Sequence, residues 1–357
     1  NFIEPFYENL ISDLDGMTKG TFTIGGNIKK PVINGQAYVN EGKITLDYLN
    51  TSYDFEGNVL ITENKIGVRE MKLKDKFDNE GILNGGIIHD YFRNVRFDLR
   101  GTFNQLLVLN TSSSDNDLYY GTAFGTGNLH VTGQEKNINI EVDAVTNSGT
   151  RFFIPLSSSN SEVIQENYIQ FAKIGDMDLS EEESVKDVIK LRGIKLDFDL
   201  EVTPEAYCEI IFDLKAGDII RGRGIGKLSL SVDTKGEFNM FGDYEIQEGG
   251  YNFTLYNVIN KEFSIEPNSR ISWSGDPYEA RLDLVATYRQ LAALAPLFAR
   301  EDSSFNNNPE ARRKYPANVV LHLTGPLMSP EIDFDIDITD YPRHLVIDGV
   351  SFETVSY

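Results

Sequence analysis

The sequence predicts an all-β protein with few short helices, and three observations carry that reading. Apolar and polar residues alternate, as where Leu196, Phe198, Leu200 and Val202 interleave with Asp197, Asp199 and Glu201. Period two puts successive side chains on opposite faces of a strand. The 30 glycines supply many places for strands to turn or bulge. The 17 tyrosines and 22 phenylalanines favour pleated surfaces, whereas stretches with helical spacing are scarce.

In chain order, strand candidates occupy 20–24, 37–49, 58–62, 67–73 and 95–99, many of them separated by glycines read as turns. After a polar break at 111–117, strands resume at 127–131 and 137–145. Ser180 and Glu183 form a capping box with Val185, Val188 and Ile189 as an apolar stripe behind it, which predicts a short helix near 180–191. The opening residues 2–14 are a second helical candidate. From Lys195 the alternation sharpens, and the carboxylates of Asp197, Asp199 and Glu201 must face water, because buried charges need partners.

Leu228, Leu230 and Val232 continue the pattern, as do Tyr251, Phe253 and Leu255, and then Leu282 and Leu284. Gly275, Asp276 and Pro277 read as a structural turn, with Asp bonding its downstream backbone and Pro presetting φ. The polar stretch 289–316, punctuated by proline, reads as a loop excursion, after which strands return at 319–323, 331–338 and 344–350. These supply Leu321, Leu323, Phe334 and Ile336 to the same apolar set. Residues 39–46 resemble residues 246–253, which suggests stacked copies of one β unit. The chain therefore divides into 1–194, with repeat-like strands and the short helix, and 195–357.

Composition removes some functions. With 55 acidic against 33 basic residues, the formal charge of −22 repels nucleic-acid phosphates. No apolar run reaches the length of a membrane-spanning helix. The numbering opens on Asn1 rather than Met, which reads as an internal start. The single cysteine, Cys208, lies in an apolar stretch and reads as a buried structural thiol.

Catalytic and metal signals are equally thin, and the expectation is a protein that is not an enzyme and needs no cofactor. His89, His130, His322 and His344 lie far apart, none with a second ligand at metal-binding spacing. Gly222, Gly224 and Gly226 run into a strand rather than a helix, so they suggest a turn or bulge and not a phosphate loop. Arg221 and Arg223 read as a solvated pair. No acid pair stands in a catalytic context.

The stretches 212–226 (FDLKAGDIIRGRGIG), 236–255 (GEFNMFGDYEIQEGGYNFTL) and 272–288 (SWSGDPYEARLDLVATY) resemble the C-terminal domain of the TamB family of translocation and assembly modules. The Gly-Asp-Pro turn leading into an alternating strand and the Glu-Gly-Gly-Tyr hairpin before it are its most specific parts. Residues 195–340 match well; the first half matches in texture, most visibly at 20–49 with its Glu41-Gly42 hairpin. The family usually carries a further apolar C-terminal segment, and Tyr357 stops before it.

The resemblance implies an elongated, curled β-sheet, a β-taco or trough with an apolar interior. It also implies a place in the periplasm of a Gram-negative cell envelope, in a protein anchored in the inner membrane and reaching the outer membrane. Among AsmA-like, bridge-like lipid transfer proteins, such a trough passes phospholipids between the membranes, with a TamA-type outer-membrane barrel or a lipoprotein relative as partner. The expected groove lining is Leu196, Phe198, Leu200, Leu228, Leu230, Val232, Tyr251, Phe253, Leu255, Leu282, Leu284, Leu321, Leu323, Phe334 and Ile336. Alternation alone fits an ordinary closed core as well. Two further alternatives stay open: an assembly factor that pairs edge strands with outer-membrane proteins, with 319–338 as candidate edge, and a transmembrane barrel.

Overall fold

Eighteen strands form one sheet in a computed structural model that describes residues 11–28, 30–115, 119–134, 137–156, 193–213, 218–232, 237–255, 259–293, 309–338, 346–347 and 350–351. In order they are β1 (Ile11–Asn27), β2 (Lys30–Leu46), β3 (Thr51–Thr62), β4 (Lys65–Lys74), β5 (Glu80–Asp90) and β6 (Arg93–Thr111). Then come β7 (Tyr120–Gln134), β8 (Asn137–Thr146), β9 (Arg151–Pro155), β10 (Ile194–Val202), β11 (Tyr207–Asp213) and β12 (Asp218–Val232). The last six are β13 (Phe238–Leu255), β14 (Ile259–Ile265), β15 (Ser269–Gly275), β16 (Arg281–Ala293), β17 (Lys314–Pro326) and β18 (Glu331–Ile338). The all-β expectation holds, and the helical elements described are single short turns.

The topology is a meander in which each strand pairs antiparallel with the next, from β1 to β8. Three strand paths are interrupted partway. Long β7 pairs with both β8 and β9, long β12 with both β10 and β11, and long β13 with both β14 and β15. The two halves of the chain join through parallel pairing, β8 with β10 and β9 with β11. The helix expected at 180–191 lies outside the described residues.

A line of irregularities creases the sheet. Register shifts fall at Val39/Gly42, Glu56/Asn58 and Val68/Met71, then at Phe103/Leu106 and Arg223/Gly224. Glu41, Glu70 and Gln105 take left-handed backbone there, with φ of 54°, 50° and 53°. Bulges bend a strand and increase its twist. The amides they free find side chains: Asn84 Oδ1 accepts from Glu70 N, and Thr126 Oγ1 from Gln105 N. Bent strands laid side by side make a trough.

Both motifs read as hairpins are mid-strand features. Glu41-Gly42 is the bulge of β2, where a Cβ on Gly42 would lie 2.5 Å from the Phe55 ring. Glu248 to Tyr251 lies inside β13, with Gly249 facing Gly222 of β12 across the ladder. Residues 11–14, inside the opening stretch read as helical, are strand, because pairing of Ile11 and Ser12 with β2 overrides the local pattern. Both ends of the expected excursion are also strand: Ala293 of β16 faces Lys314 of β17. Residues 294–308 lie outside the described residues.

Candidate apolar trough

One row of side chains shows the sheet's inner face. Following the register laterally, Ala37 faces Val59, which faces Val68, then Gly85, Leu99, Val131, Ile140, Leu196, Val232 and Phe238. No member of this row is polar, from β2 to β13. A neighbouring row runs Gly35, Ile61, Ile66, Ile87 and Phe97. On the opposite face His130, Glu141, Asp197, Ser231 and Asn239 are consecutive lateral neighbours. A transmembrane barrel has an apolar outside in the bilayer; this outer row is polar.

Burial changes along the inner face. Val59, Ile61, Ile66, Val68, Ile87, Phe97, Leu99, Val131 and Val142 are half-buried, so over β3–β8 the apolar face is partly open. From β11 to β17 it closes on itself: Ile246, Ile271, Leu284, Leu321 and Leu323 are at most 2% exposed and belong to one core cluster. Rings of Tyr251, Phe253, Phe263 and Tyr288 interlock through it at 5.7–6.1 Å between centroids. Between these zones sits a smaller cluster of Ile138, Ile194, Leu196 and Val232, against which Tyr48, Phe97, Phe198 and Phe238 pack.

The residues expected to line a groove fall into separate surroundings. Leu196 and Val232 are buried in the small cluster, with Phe198 half-buried against it, and Leu200 is half-buried. Leu228, Tyr251, Phe253, Leu282, Leu284, Leu321 and Leu323 are buried in the large core, with Leu230 packed against it. Phe334 and Ile336 are exposed on β18, and the Leu255 side chain lies outside the described residues. The half-open positions of β3–β8 are absent from the expected set, although the signal was present: Val59 and Ile61, Phe97 and Leu99, or Ile138, Ile140 and Val142 alternate as the later strands do.

Several polar groups near the sheet find partners within the protein. Ser229 and Ser231 donate to Asp199 and Asp197 at 2.5 and 2.8 Å, which ties the acidic outer face of β10 to β12. Arg221 pairs with Glu262; Arg223 stacks over Tyr207 and donates to Glu205 O at 2.6 Å. His130 sits between Asp98 and Glu141 at 3.4 and 3.7 Å, and His322 lies 3.3 Å from Asp335. His89 is buried, stacked on Phe92, with Nδ1 accepting from Phe92 N, and burial pushes its pKa down. His344 lies outside the described residues. Among the described residues no group of His, Cys, Asp and Glu could hold a metal ion, and no helix is long and apolar enough to cross a membrane.

At the Gly-Asp-Pro corner, β15 ends at Gly275 and Asp276 Oδ1 accepts from Tyr278 N at 2.9 Å. Pro277 opens a single 3-10 turn that leads into β16.

The family model described as TamB C-terminal domain matches residues 69–348 of the chain. No curated protein matches it.

Proposed function

The chain belongs to the TamB C-terminal domain family, a transport and assembly module of the Gram-negative envelope with a role in outer-membrane assembly, and from that premise we propose that its trough is a conduit for phospholipid acyl chains. The observation that carries the reading is the lateral apolar row from Ala37 to Phe238. Burial is worth about 0.8 kcal/mol per methylene, so a sixteen-carbon chain exposed to water loses on the order of 12 kcal/mol. A route through an aqueous compartment must therefore be apolar without gaps. Strands spaced about 4.8 Å apart give such a strip one or two side chains per step, and glycines in the row leave room rather than polarity.

In this reading Val59, Ile61, Ile66, Val68, Leu99, Val131 and Val142 line the open stretch, and Leu196, Phe198 and Leu200 continue it. The large core of β11–β17 closes the far end, and Leu284, Leu321 and Leu323 hold the end of the trough in shape. A TamA-type outer-membrane barrel, the partner associated with the family, would meet the protein there, on the periplasmic side. No step requires a catalytic group.

A photo-crosslinking amino acid at Val68 and Leu99, with Arg69 and Asp98 as outward neighbours, tests the conduit in envelope preparations. Phospholipid adducts at the inward pair and not the outward pair are expected. Equal labelling of both faces, or none, sinks the reading.

A second reading, assembly by β-augmentation, rests on β18. Among the described residues it pairs on one side only, with β17, whereas β17 pairs on both. The edge is thus narrower than 319–338. Proline at Asp333 or Asp335 should abolish capture of a barrel strand while leaving lipid adducts at Val68 intact.

A further inference from the structure

We propose that Tyr48 and Tyr119 form a gate across the mouth of the trough, one that must part for a lipid to pass from the open stretch to the covered one; the inference rests on the conduit reading above. Tyr119 immediately precedes β7, and its ring lies 5.9 Å from that of Phe238, the first residue of β13. By the ladder these strands are four steps apart, β7 to β8 to β10 to β12 to β13, or about 19 Å in a flat sheet. They also belong to opposite rims. Tyr120 pairs with Phe153 at one end of β7, whereas Gln134 pairs with Asn137 at the other, and that far end is the rim to which Phe238 belongs. Fifteen residues of strand lie between those ends, roughly 45 Å of extended chain. The ring contact therefore joins one wall of the trough to the other.

Tyr48 makes the same crossing. It sits in the 3-10 turn Asp47–Leu49 between β2 and β3, yet packs against the cluster of Ile138, Ile194, Leu196 and Val232 on the far wall. The two hydroxyls meet at 3.0 Å, and Phe152 stacks on Tyr119 from its own wall at 5.6 Å. Acyl chains can lie beneath this bridge, but a phosphate headgroup riding in the open mouth meets it.

Two features suit the bridge to opening rather than to permanent closure. Both tyrosines stand in connections between strands, so they can swing without breaking a ladder. The hydroxyl pair exchanges one hydrogen bond for water when it parts, so both states satisfy the polar atoms. Ser12 Oγ, donating to Asp47 Oδ1 at 2.5 Å, holds the turn that carries Tyr48.

The test uses the whole chain with photo-crosslinkers at Val68, in the open stretch, and at Phe198, under the bridge. Phospholipid vesicles load the protein. Cysteines at positions 48 and 119, in a Cys208→Ala background, are joined by a cleavable bismaleimide. Joining should leave the Val68 adduct and cut the Phe198 adduct about fivefold, with recovery on cleavage, and Tyr48→Ala with Tyr119→Ala should raise it by a similar factor. Tyr48→Phe with Tyr119→Phe keeps the rings and guards against a folding defect; its Phe198 adduct should lie between wild type and the alanine pair. Lipid at both positions, unchanged by joining or truncation, overturns the gate and leaves the conduit standing. Lipid at neither position overturns both.

Discussion

Phe253 and Phe334 meet edge to face with centroids 5.7 Å apart, although their strands are four ladder steps apart, β13 to β14 to β16 to β17 to β18. In a flat sheet that separation is about 19 Å. The contact is a direct measure of the curl, because the end strand comes back over a strand of the C-terminal core.

The two partners should respond differently to truncation. Phe253 is buried among Tyr251, Phe263 and the core aliphatics, so Phe253→Ala should cost about 3–5 kcal/mol in denaturant unfolding. Phe334 is 47% exposed on an edge strand, and Phe334→Ala should cost only about 1 kcal/mol. Hydrogen exchange should show the second loss confined to β18; exchange rising equally over β11–β17 would mean that the ring holds the whole core.

A buried carboxylate closes the connection between β4 and β5. The β4–β5 hairpin is short, and β3 and β6 come together below it, where Tyr53 OH donates to Leu107 O at 2.8 Å. Asp75, 4% exposed, accepts from the backbone amides of Phe77, Asn79 and Leu107 and from Asn79 Nδ2, all within 3.0 Å. Burial works to raise its pKa, but these donors outweigh burial and hold the carboxyl below its ordinary value. A depressed carboxylate adds stability above its unfolded pKa, about 4, and loses it as pH falls through the folded value. Asp75→Asn puts an amide against amide donors and should cost about 2–3 kcal/mol at pH 7. The gap between the two proteins should shrink below about pH 4; a constant gap down to pH 2 would refute the linkage.

The alternation in Lys195–Val202 and Leu228–Val232 made the all-β class and the two faces of these strands legible, because period two is a local property. Long-range consequences were not legible. Glycines such as Gly42 and Gly249 mark turns in a local reading, but here they sit inside strands where a neighbouring ring or backbone comes too close for a Cβ. Nor does alternation separate an open apolar face from a closed one. Val68 and Leu284 carry the same signal, and what makes Leu284 core is the gathering of side chains from β11 to β17 into one cluster around it. The parallel joining of β8 to β10 and of β9 to β11 is a long-range pairing, which periodicity alone does not place.

Cys208, half-buried and packed against the large core, provides a probe of that core's integrity. Burial pushes its thiol up to about 12, with the Glu209 carboxylate adding to the effect. An unfolded thiol ionises near 8.5. The neutral thiol is therefore favoured in the fold, and its contribution is intact below about pH 8.5 and declines as pH rises above it. At pH 8 the native thiol should react with maleimide at least about tenfold more slowly than the denatured chain. Fast native labelling without loss of secondary structure would place the thiol at the surface.

Charge placed on the two kinds of apolar position should separate transport from folding. Leu284 is 2% exposed and surrounded by the large core, so Leu284→Asp buries an unpaired charge and should cost about 3–5 kcal/mol. Its failure to move lipid would then report unfolding. Val68 faces the half-open stretch, where water can reach an introduced carboxylate, and Val68→Asp should cost about 1 kcal/mol or less. If acyl chains cross that stretch, the same carboxylate interrupts the row between Val59 and Gly85. Phospholipid transfer should fall at least about tenfold, the factor matching some 1.4 kcal/mol of added barrier, while the thermal midpoint stays within a few degrees. Full transfer by a folded Val68→Asp protein would remove β3–β8 from the route and confine any lipid contact to the C-terminal strands.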